Sequence, residues 1–496
     1  MTTNPPFSNN ATLRNYIESE IRKEEEAEVG LQVAQSMLGI DSIDKEFRAL
    51  KERLAETQFQ FDAEKSKTLR PYQETALFHL FELLKAKRST IGLQLPTGAG
   101  KTFVIHSYIY RHFLQRSQNV LVITPSWEIA NQHAMTVSQH FKDGKKRVRR
   151  LGGQGQVISV FDEYESRGRG GKVILTTSAL FYARQAQLME QLKVGLIVID
   201  EGHHGWKKLR LNSVQEFSRT KQIPVVLLTA TPPRNMQGLP FAAQLRYLDL
   251  VPEYLVPCEV VRLETGQQFD PVLKNGILSQ SSRVELSSRK QRFEKIIESS
   301  IQHIRGQTIY YAGSVREAMG VMKAFAEKNI TAVTVHSKWT AKGDRINALA
   351  IEKFRRGEVQ VLVNVQMLAM GFDVPNVETI IVARPVESDT LFTQMVGRGA
   401  RPAPGKDKFI LIDVHDTIFK PEVAKIFEHR QLFYNGRDNK QEIEMTISAP
   451  PVMPVKKISP NKFLYPYMNS KISDLHDELY DYFELIARDA ILEQLR

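Results

Sequence analysis

Residues Leu95-Pro96-Thr97-Gly98-Ala99-Gly100-Lys101-Thr102 constrain the path of this chain more than any other stretch. An apolar run, Ile91 to Leu95, comes before them and reads as a buried strand; Phe103 to Tyr108 follows and reads as the start of a helix. A strand, a glycine-bearing loop and a helix together form the geometry that holds a triphosphate. Small residues let backbone N–H groups turn towards phosphate oxygens, and the helix N-terminus adds partial positive charge. In this reading Thr97, Gly98, Ala99 and Gly100 form the cradle. Lys101 reaches the β- and γ-phosphates, and the Thr102 hydroxyl sits on Mg²⁺. Leu95 stands where the strict G-x-x-x-x-G-K-[ST] pattern has its first glycine.

Such a loop needs a carboxylate partner, and a second apolar run supplies one. Val194 to Ile199 ends in Asp200-Glu201-Gly202-His203-His204. Carboxylates at the C-terminal end of a parallel strand face the crevice where open α/β sheets bind ligands. Asp200 is expected to hold Mg²⁺ through its water shell, and Glu201 to orient and deprotonate an attacking water.

Apolar runs alternate with helical patterns twice along the chain. Ile91–Leu95, Val120–Thr124, Val173–Thr177, Leu196–Asp200 and Val225–Thr229 form the first set. Thr308–Tyr311, Ala332–Val335, Val361–Val365, Thr379–Val382 and Phe409–Val414 form the second. Near-continuous apolar strands separated by helices predict parallel sheets covered on both faces. The expected organisation is a helical N-terminal extension (1–68), a nucleotide-binding α/β domain (69–250), a junction (251–305), a second α/β domain without its own phosphate loop (306–447), and a linker with a C-terminal helix (448–496). Residues 1–68 hold nine Lys or Arg against thirteen Asp or Glu, so the rest of this +11 chain is about +15. The arm is expected to pack on the first domain; its sharper reading is a docking surface for a partner protein, a role the C-terminal helix could share.

The basic balance favours a polyanionic partner. The densest basic run is Lys145-Lys146-Arg147 with Arg149-Arg150. One cysteine, Cys258, excludes a disulfide framework and a Cys-based zinc site. No signal peptide and no run of roughly 18 apolar residues is present, so the bacterial or phage-like cytosol is the expected, cytoplasmic location, with no membrane partner.

These motifs, in this order, resemble the core of a superfamily 2 helicase of the DExH type, from about Leu69 to Asp416. The resemblance implies two tandem RecA-like domains of the α/β class, ATP and Mg²⁺ as ligands, and nucleic acid as partner, DNA ahead of RNA. It places Gln73, within Leu69-Arg70-Pro71-Tyr72-Gln73, on the adenine edge. His203, Thr229 and Thr231 would couple hydrolysis to domain movement. Gly371-Phe372-Asp373 resembles motif V, with Asp373 at the nucleotide and Gly371 at the strand. Gln394 to Arg401 resembles motif VI, in which Gln394, Arg398 and Arg401 act on the γ-phosphate. Pro125, Ser126, Thr177 and Ser178 would contact the nucleic-acid backbone. Val361–Asp373 and Gln394–Gly405 look most like RadD-type repair helicases and their phage relatives, although the Cys-rich zinc region of that group is missing here.

Motif VI also has a physical rationale of its own. A γ-phosphoryl transition state spreads negative charge over its oxygens, and guanidinium groups from another domain stabilise it. Arg398 and Arg401 are three apart and so are expected on one helix face, shared with Gln394. Two functions fit the ordered set: an ATP-driven helicase or translocase, and an ATP-set switch that recruits a partner such as a nuclease. An RNA substrate is a third option, because backbone contacts carry little information about the sugar.

Overall fold

The computed structural model describes residues 31–57, 68–114, 116–151, 171–185, 188, 192–201, 214, 218–232, 236, 238–269, 272–274, 277–337, 342–365, 374, 376–386 and 389–418. Within them the chain builds two large parallel sheets. The first holds β1 (Thr90–Gln94), β2 (Val120–Thr124), β3 (Val148–Arg150), β4 (Val173–Thr177), β5 (Leu196–Ile199), β6 (Val225–Thr229) and β7 (Phe241–Gln244), in the order 3-4-2-5-6-1-7. Then β8 (Cys258–Phe269) is followed by a small hairpin of β9 (Leu273–Lys274) and β10 (Ile277–Leu278). The chain continues into β11 (Gln307–Tyr311), β12 (Ala332–His336), β13 (Val361–Val365), β14 (Val377–Val382) and β15 (Phe409–Ile418); the second sheet runs 12-13-11-14-15-8. The two tandem α/β domains expected from the alternation are therefore present.

All ten apolar runs fall on strands, with Leu95 and Asp200 one residue past the ends of theirs, and alternate residues of each strand face opposite sides. Leu121 and Ile123 enter one cluster, Val120 and Val122 another. In the second sheet Val361 and Val363 face a cluster separate from that of Leu362. One face of each sheet feeds a single continuous core, so the two domains share buried apolar surface. Three edge strands, β3, β7 and β8, are the ones without a long apolar run. β8 lies within the stretch read as a junction, yet it pairs in parallel along β15 from Cys258 to Phe269. Its sequence, CEVVRLETGQQF, mixes polar and apolar residues, as suits an edge with only one strand neighbour.

The described part of the N-terminal arm, residues 31–57, packs on the second domain, not on the first as expected. The helix Ile43–Thr57 lies against the helix Gly343–Arg355, and Asp44 pairs with Lys342 and Arg345. Met37 Sδ accepts from the Thr334 N–H, 3.3 Å away, on the edge strand β12. The physical reason is twofold: an edge strand exposes backbone groups that need covering, and the acidic arm meets basic residues there. Ile43 and Leu50 are buried in the shared core. Ile43→Ala should lower the denaturation midpoint of the second domain, with a loss of about 2–4 kcal/mol for a buried aliphatic truncation. Asp44→Asn, at an exposed pair, should leave that midpoint in place. The C-terminal helix expected after residue 448 lies outside the described residues. Among the described residues, no helix is long and apolar enough to cross a membrane.

At the C-terminal ends of the second sheet a buried ionic knot joins five elements. Arg292, on the helix Lys290–Ser300, is 1% exposed and donates to Asp416 through Nε and Nη2, at 2.9 and 2.8 Å. Its Nη1 lies 3.6 Å from Glu317 Oε1, which also accepts from the Tyr310 hydroxyl at 2.9 Å. Glu317 Oε2 accepts from the Gly313 N–H at 2.7 Å, and Thr265 of β8 donates to Asp416 at 2.5 Å.

Candidate nucleotide site between the two domains

The glycine-bearing loop leaves β1 and enters the helix Lys101–Ile109. Gly98 and Gly100 have φ of 88° and 81°, the left-handed region that glycine enters without strain. Leu95 is fully buried, and its N–H donates to Thr229 O at 3.2 Å. That position still belongs to the sheet core, so it has no need of the glycine that the strict pattern carries. Lys101 Nζ donates to Leu95 O at 3.1 Å, which folds the ammonium back across the loop. From below, Tyr72 Oη and Gln73 Nε2 both donate to Ala99 O, at 2.7 and 2.8 Å, while Gln73 Oε1 accepts from the Arg70 N–H at 2.9 Å. A Cβ on Gly100 would come within 2.6 Å of Gln73 Nε2. Gln73 is 5% exposed, with both ends of its amide engaged. Its amide thereby ties the start of the helix Pro71–Lys85 to the loop.

Asp200 sits just past β5, and its N–H donates to Ile123 O at 2.9 Å. Its Oδ1 accepts from the Glu201 N–H at 2.8 Å, and its Oδ2 from His133 Nε2 at 2.8 Å. Burial pushes the Asp200 carboxyl up, but His133 and the Lys101 ammonium outweigh it and hold it below the ordinary range. Glu201 goes the other way: burial raises it, and the Asp200 charge adds to that, beyond what Lys101, Arg398 and a hydrogen bond with Gln394 take back. Adjacent carboxylates are thus pushed apart, one towards a pure anion and one towards a proton acceptor. Among the described residues no group of three or more His, Cys, Asp or Glu is placed to hold a metal alone. A cation here would be shared between Asp200, Thr102 and phosphate oxygens, the usual arrangement for Mg²⁺. The ionised carboxylate beside a phosphate cradle fits that donor set.

The second domain reaches this loop directly. The helix Asp389–Val396 ends before Arg398, so the two arginines project from a turn and not from one helix face as expected. The two glycines of that turn account for its shape. A Cβ at Gly397 would lie 2.6 Å from Thr97 Cβ, and one at Gly399 would lie 2.3 Å from Phe409. Residue 397 therefore rests on the phosphate loop of the first domain. A Cβ on Gly98 would meet Arg401 Cγ at 2.9 Å, which places Arg401 across the same loop. Gln394 is buried, and Arg398 is 7% exposed. Burial pulls the Arg398 guanidinium below its usual value against the pull of Tyr311 and Glu201, and burial takes Arg401 down to about 10. Both stay cationic near neutrality. Lys406 Nζ pins the turn by donating to Gly399 O and Arg401 O, at 2.6 and 2.9 Å.

Thr229 and Thr231 close a tight turn, with the Thr231 N–H donating to Thr229 Oγ1 at 3.1 Å. Thr231 Oγ1 then donates across the domain boundary to Thr390 Oγ1 at 2.8 Å. Thr390 was missed from sequence; its one signal is that it lies four residues before Gln394 on the same helix. His133 was missed as well, since a histidine inside a helix carries no mark of its partner.

The expected nucleic-acid residues lie at the C-terminal ends of β2 and β4. Ser126 Oγ caps the helix Trp127–His140 by accepting from the Ile129 N–H, and Thr177 Oγ1 caps the helix Ser178–Ala183 by accepting from the Leu180 N–H. Pro125 and Ser178 flank them, both partly exposed. In the basic run, Arg147 donates to Leu114 O at 2.9 Å and so serves the fold. His203, Gly371 and Asp373 lie outside the described residues.

Comparison with known proteins agrees with the two-domain fold. Residues 66–234 match the family described as type III restriction enzyme, res subunit, and residues 289–403 match the helicase conserved C-terminal domain. The chain is 27% identical over 368 residues to a provisionally named mitochondrial ATP-dependent helicase, irc3, of Schizosaccharomyces pombe, covering 71% of this chain and 58% of that one. It is 33% identical over 231 residues to a 51.5 kDa protein of a Lactococcus phage, covering 45% of this chain and 49% of that one. The chain thus spans about half the length of the curated relatives it matches. Among solved structures, the ATP-dependent type ISP restriction-modification enzyme LlaBIII bound to DNA superposes with a TM-score of 0.53 at 16% identity, over 74% of this chain and 29% of that one, which shows a shared fold. With two matched domains and two parallel sheets, the chain belongs to the superfamily 2 helicases.

Proposed function

We propose that the chain hydrolyses ATP between its two domains and uses the cycle to move along or remodel DNA. The observation that carries this reading is the meeting of side chains from both domains at one phosphate loop: Arg401 crosses Gly98, while Arg398 and Gln394 act on Glu201. In this reading Gly98, Ala99, Gly100 and Lys101 bind the phosphates, and Thr102 with Asp200 would hold Mg²⁺. That ion, when bound, neutralises charge on the β- and γ-oxygens. Glu201, with its raised proton affinity, takes the proton from water as the oxygen attacks the γ-phosphorus and ADP leaves. Arg398 and Arg401 stabilise the charge that spreads over the equatorial oxygens. The match of the first domain to a restriction-enzyme family supports DNA over RNA. A role in repair, recombination or phage DNA metabolism is consistent with the phage relative.

ATP hydrolysis measured alone and with single-stranded DNA, duplex, fork and RNA tests the reading, beside a strand-displacement assay. Stimulation by DNA with displacement is the expected result. Strong hydrolysis without displacement or translocation would turn the assignment to an ATP-set switch, and no hydrolysis under any condition would end it. The Thr231–Thr390 bond gives a finer check. Thr390→Val should reduce DNA-stimulated turnover by about 3- to 10-fold, the equivalent of one hydrogen bond of about 1 kcal/mol, while ATP binding holds.

A further inference from the structure

Three buried side chains from three elements form a line behind the proposed metal carboxylate. His106 lies on the helix that begins at Lys101, His133 lies on the helix capped by Ser126, and Asp200 follows β5. His133 Nε2 is 2.8 Å from Asp200 Oδ2, and His133 Nδ1 is 2.7 Å from His106 Nε2. The two rings meet edge to face, with centroids 4.9 Å apart. His106 and His133 are 1% and 0% exposed.

We propose that His133, held from behind by His106, is a positioning residue that fixes the Asp200 carboxylate for Mg²⁺. An ionised carboxylate can only accept, so His133 Nε2 carries a proton and donates it. One hydrogen then joins His133 Nδ1 to His106 Nε2. With Glu201 N–H on Oδ1 and His133 on Oδ2, each oxygen of Asp200 has its own fixed donor, and the plane of the carboxylate is set. Packing alone does not account for this line. His106 Nδ1 is buried with no hydrogen-bond partner among the described residues, a destabilising arrangement that an apolar pair of similar volume would avoid. Outer partners that orient a metal-binding group typically change metal affinity or activity by about 10- to 100-fold when removed.

The inference rests on the reading of Asp200 as an Mg²⁺ residue, and its test separates the two. Mn²⁺ affinity is measured by electron paramagnetic resonance in the complex with a non-hydrolysable ATP analogue, and analogue binding is measured again with EDTA. His133→Leu should weaken Mn²⁺ binding by about 10-fold or more, with metal-free analogue binding unchanged. His133→Gln, whose amide can donate with the same reach, should recover affinity to within about threefold of the original. Imidazole ¹⁵N shifts of the unsubstituted protein should show His133 protonated at Nε2, a readout that stands even if the leucine variant does not fold. Mn²⁺ binding unchanged in His133→Leu, a glutamine variant as weak as the leucine one, or a bare His133 Nε2 would overturn the proposal. Failure of the unsubstituted protein to bind Mn²⁺ with nucleotide would overturn the ATP-site reading with it.

Discussion

Arg398→Ala is expected to lower kcat for ATP hydrolysis by about 10³-fold or more, the range seen when an arginine from another domain is lost from a phosphoryl-transfer site. Arg398 is buried, and its charge acts on Glu201. Its removal takes away positive charge where the proposed reaction would develop negative charge, in a place that water screens poorly. It also removes an influence that holds the proton affinity of Glu201 down. In the proposed reading ground-state binding falls to the first domain, through the glycine cradle and Lys101, so the dissociation constant for ATP should change little. The signature is therefore a fall in kcat with ATP binding retained. Arg398→Lys should recover only part of the rate, because an ammonium cannot reproduce the planar fork. Single-turnover hydrolysis beside equilibrium binding of a fluorescent ATP analogue makes the measurement. A kcat within threefold of the original would remove Arg398 from the chemistry.

The glycine-bearing loop and the elements that flank it were legible because they are local in sequence. Strand, loop, Lys101 and Thr102 are contiguous, and Asp200 and Glu201 follow their own strand. The central strands were legible because both faces are buried and apolar residues run unbroken. β8 was not, because an edge strand covered on one side tolerates Glu259, Arg262 and Glu264 beside Val260 and Val261. Spacing alone puts Arg398 and Arg401 on a helix face, because it cannot see Thr97 lying against Gly397. His133 and Thr390 were illegible for a similar reason: their partners lie 67 and 159 residues away, and a single polar side chain has no periodicity to betray it. Gln73 shows the opposite case, a motif residue found at the right loop but engaged with its backbone.

Arg292→Met is expected to destabilise the second domain by about 3–5 kcal/mol, the cost of leaving buried charge without its partner. The fold itself explains the size. Arg292 is the cation between Asp416 and Glu317, and the three tie β8, β11, β15 and two helices at one end of the sheet. Methionine fills much of the volume, so the loss is electrostatic more than a cavity. Burial already holds the Glu317 carboxyl above its ordinary value of 4.5 against the pull of Arg292; without the guanidinium it rises further. The sign of the pH dependence follows. Between the unfolded value and the raised folded one, the native state binds the extra proton, so stability falls as pH rises through that window. The variant should therefore be nearer to the original at pH 5 than at pH 8, by urea midpoint at each pH. Adding Glu317→Gln to Arg292→Met should regain part of the loss and flatten the pH dependence, since a neutral amide has no proton to take up. A midpoint for Arg292→Met equal to that of the original protein at both pH values would show that the knot contributes nothing to holding the second domain, and with it the surface on which Arg398 and Arg401 are presented.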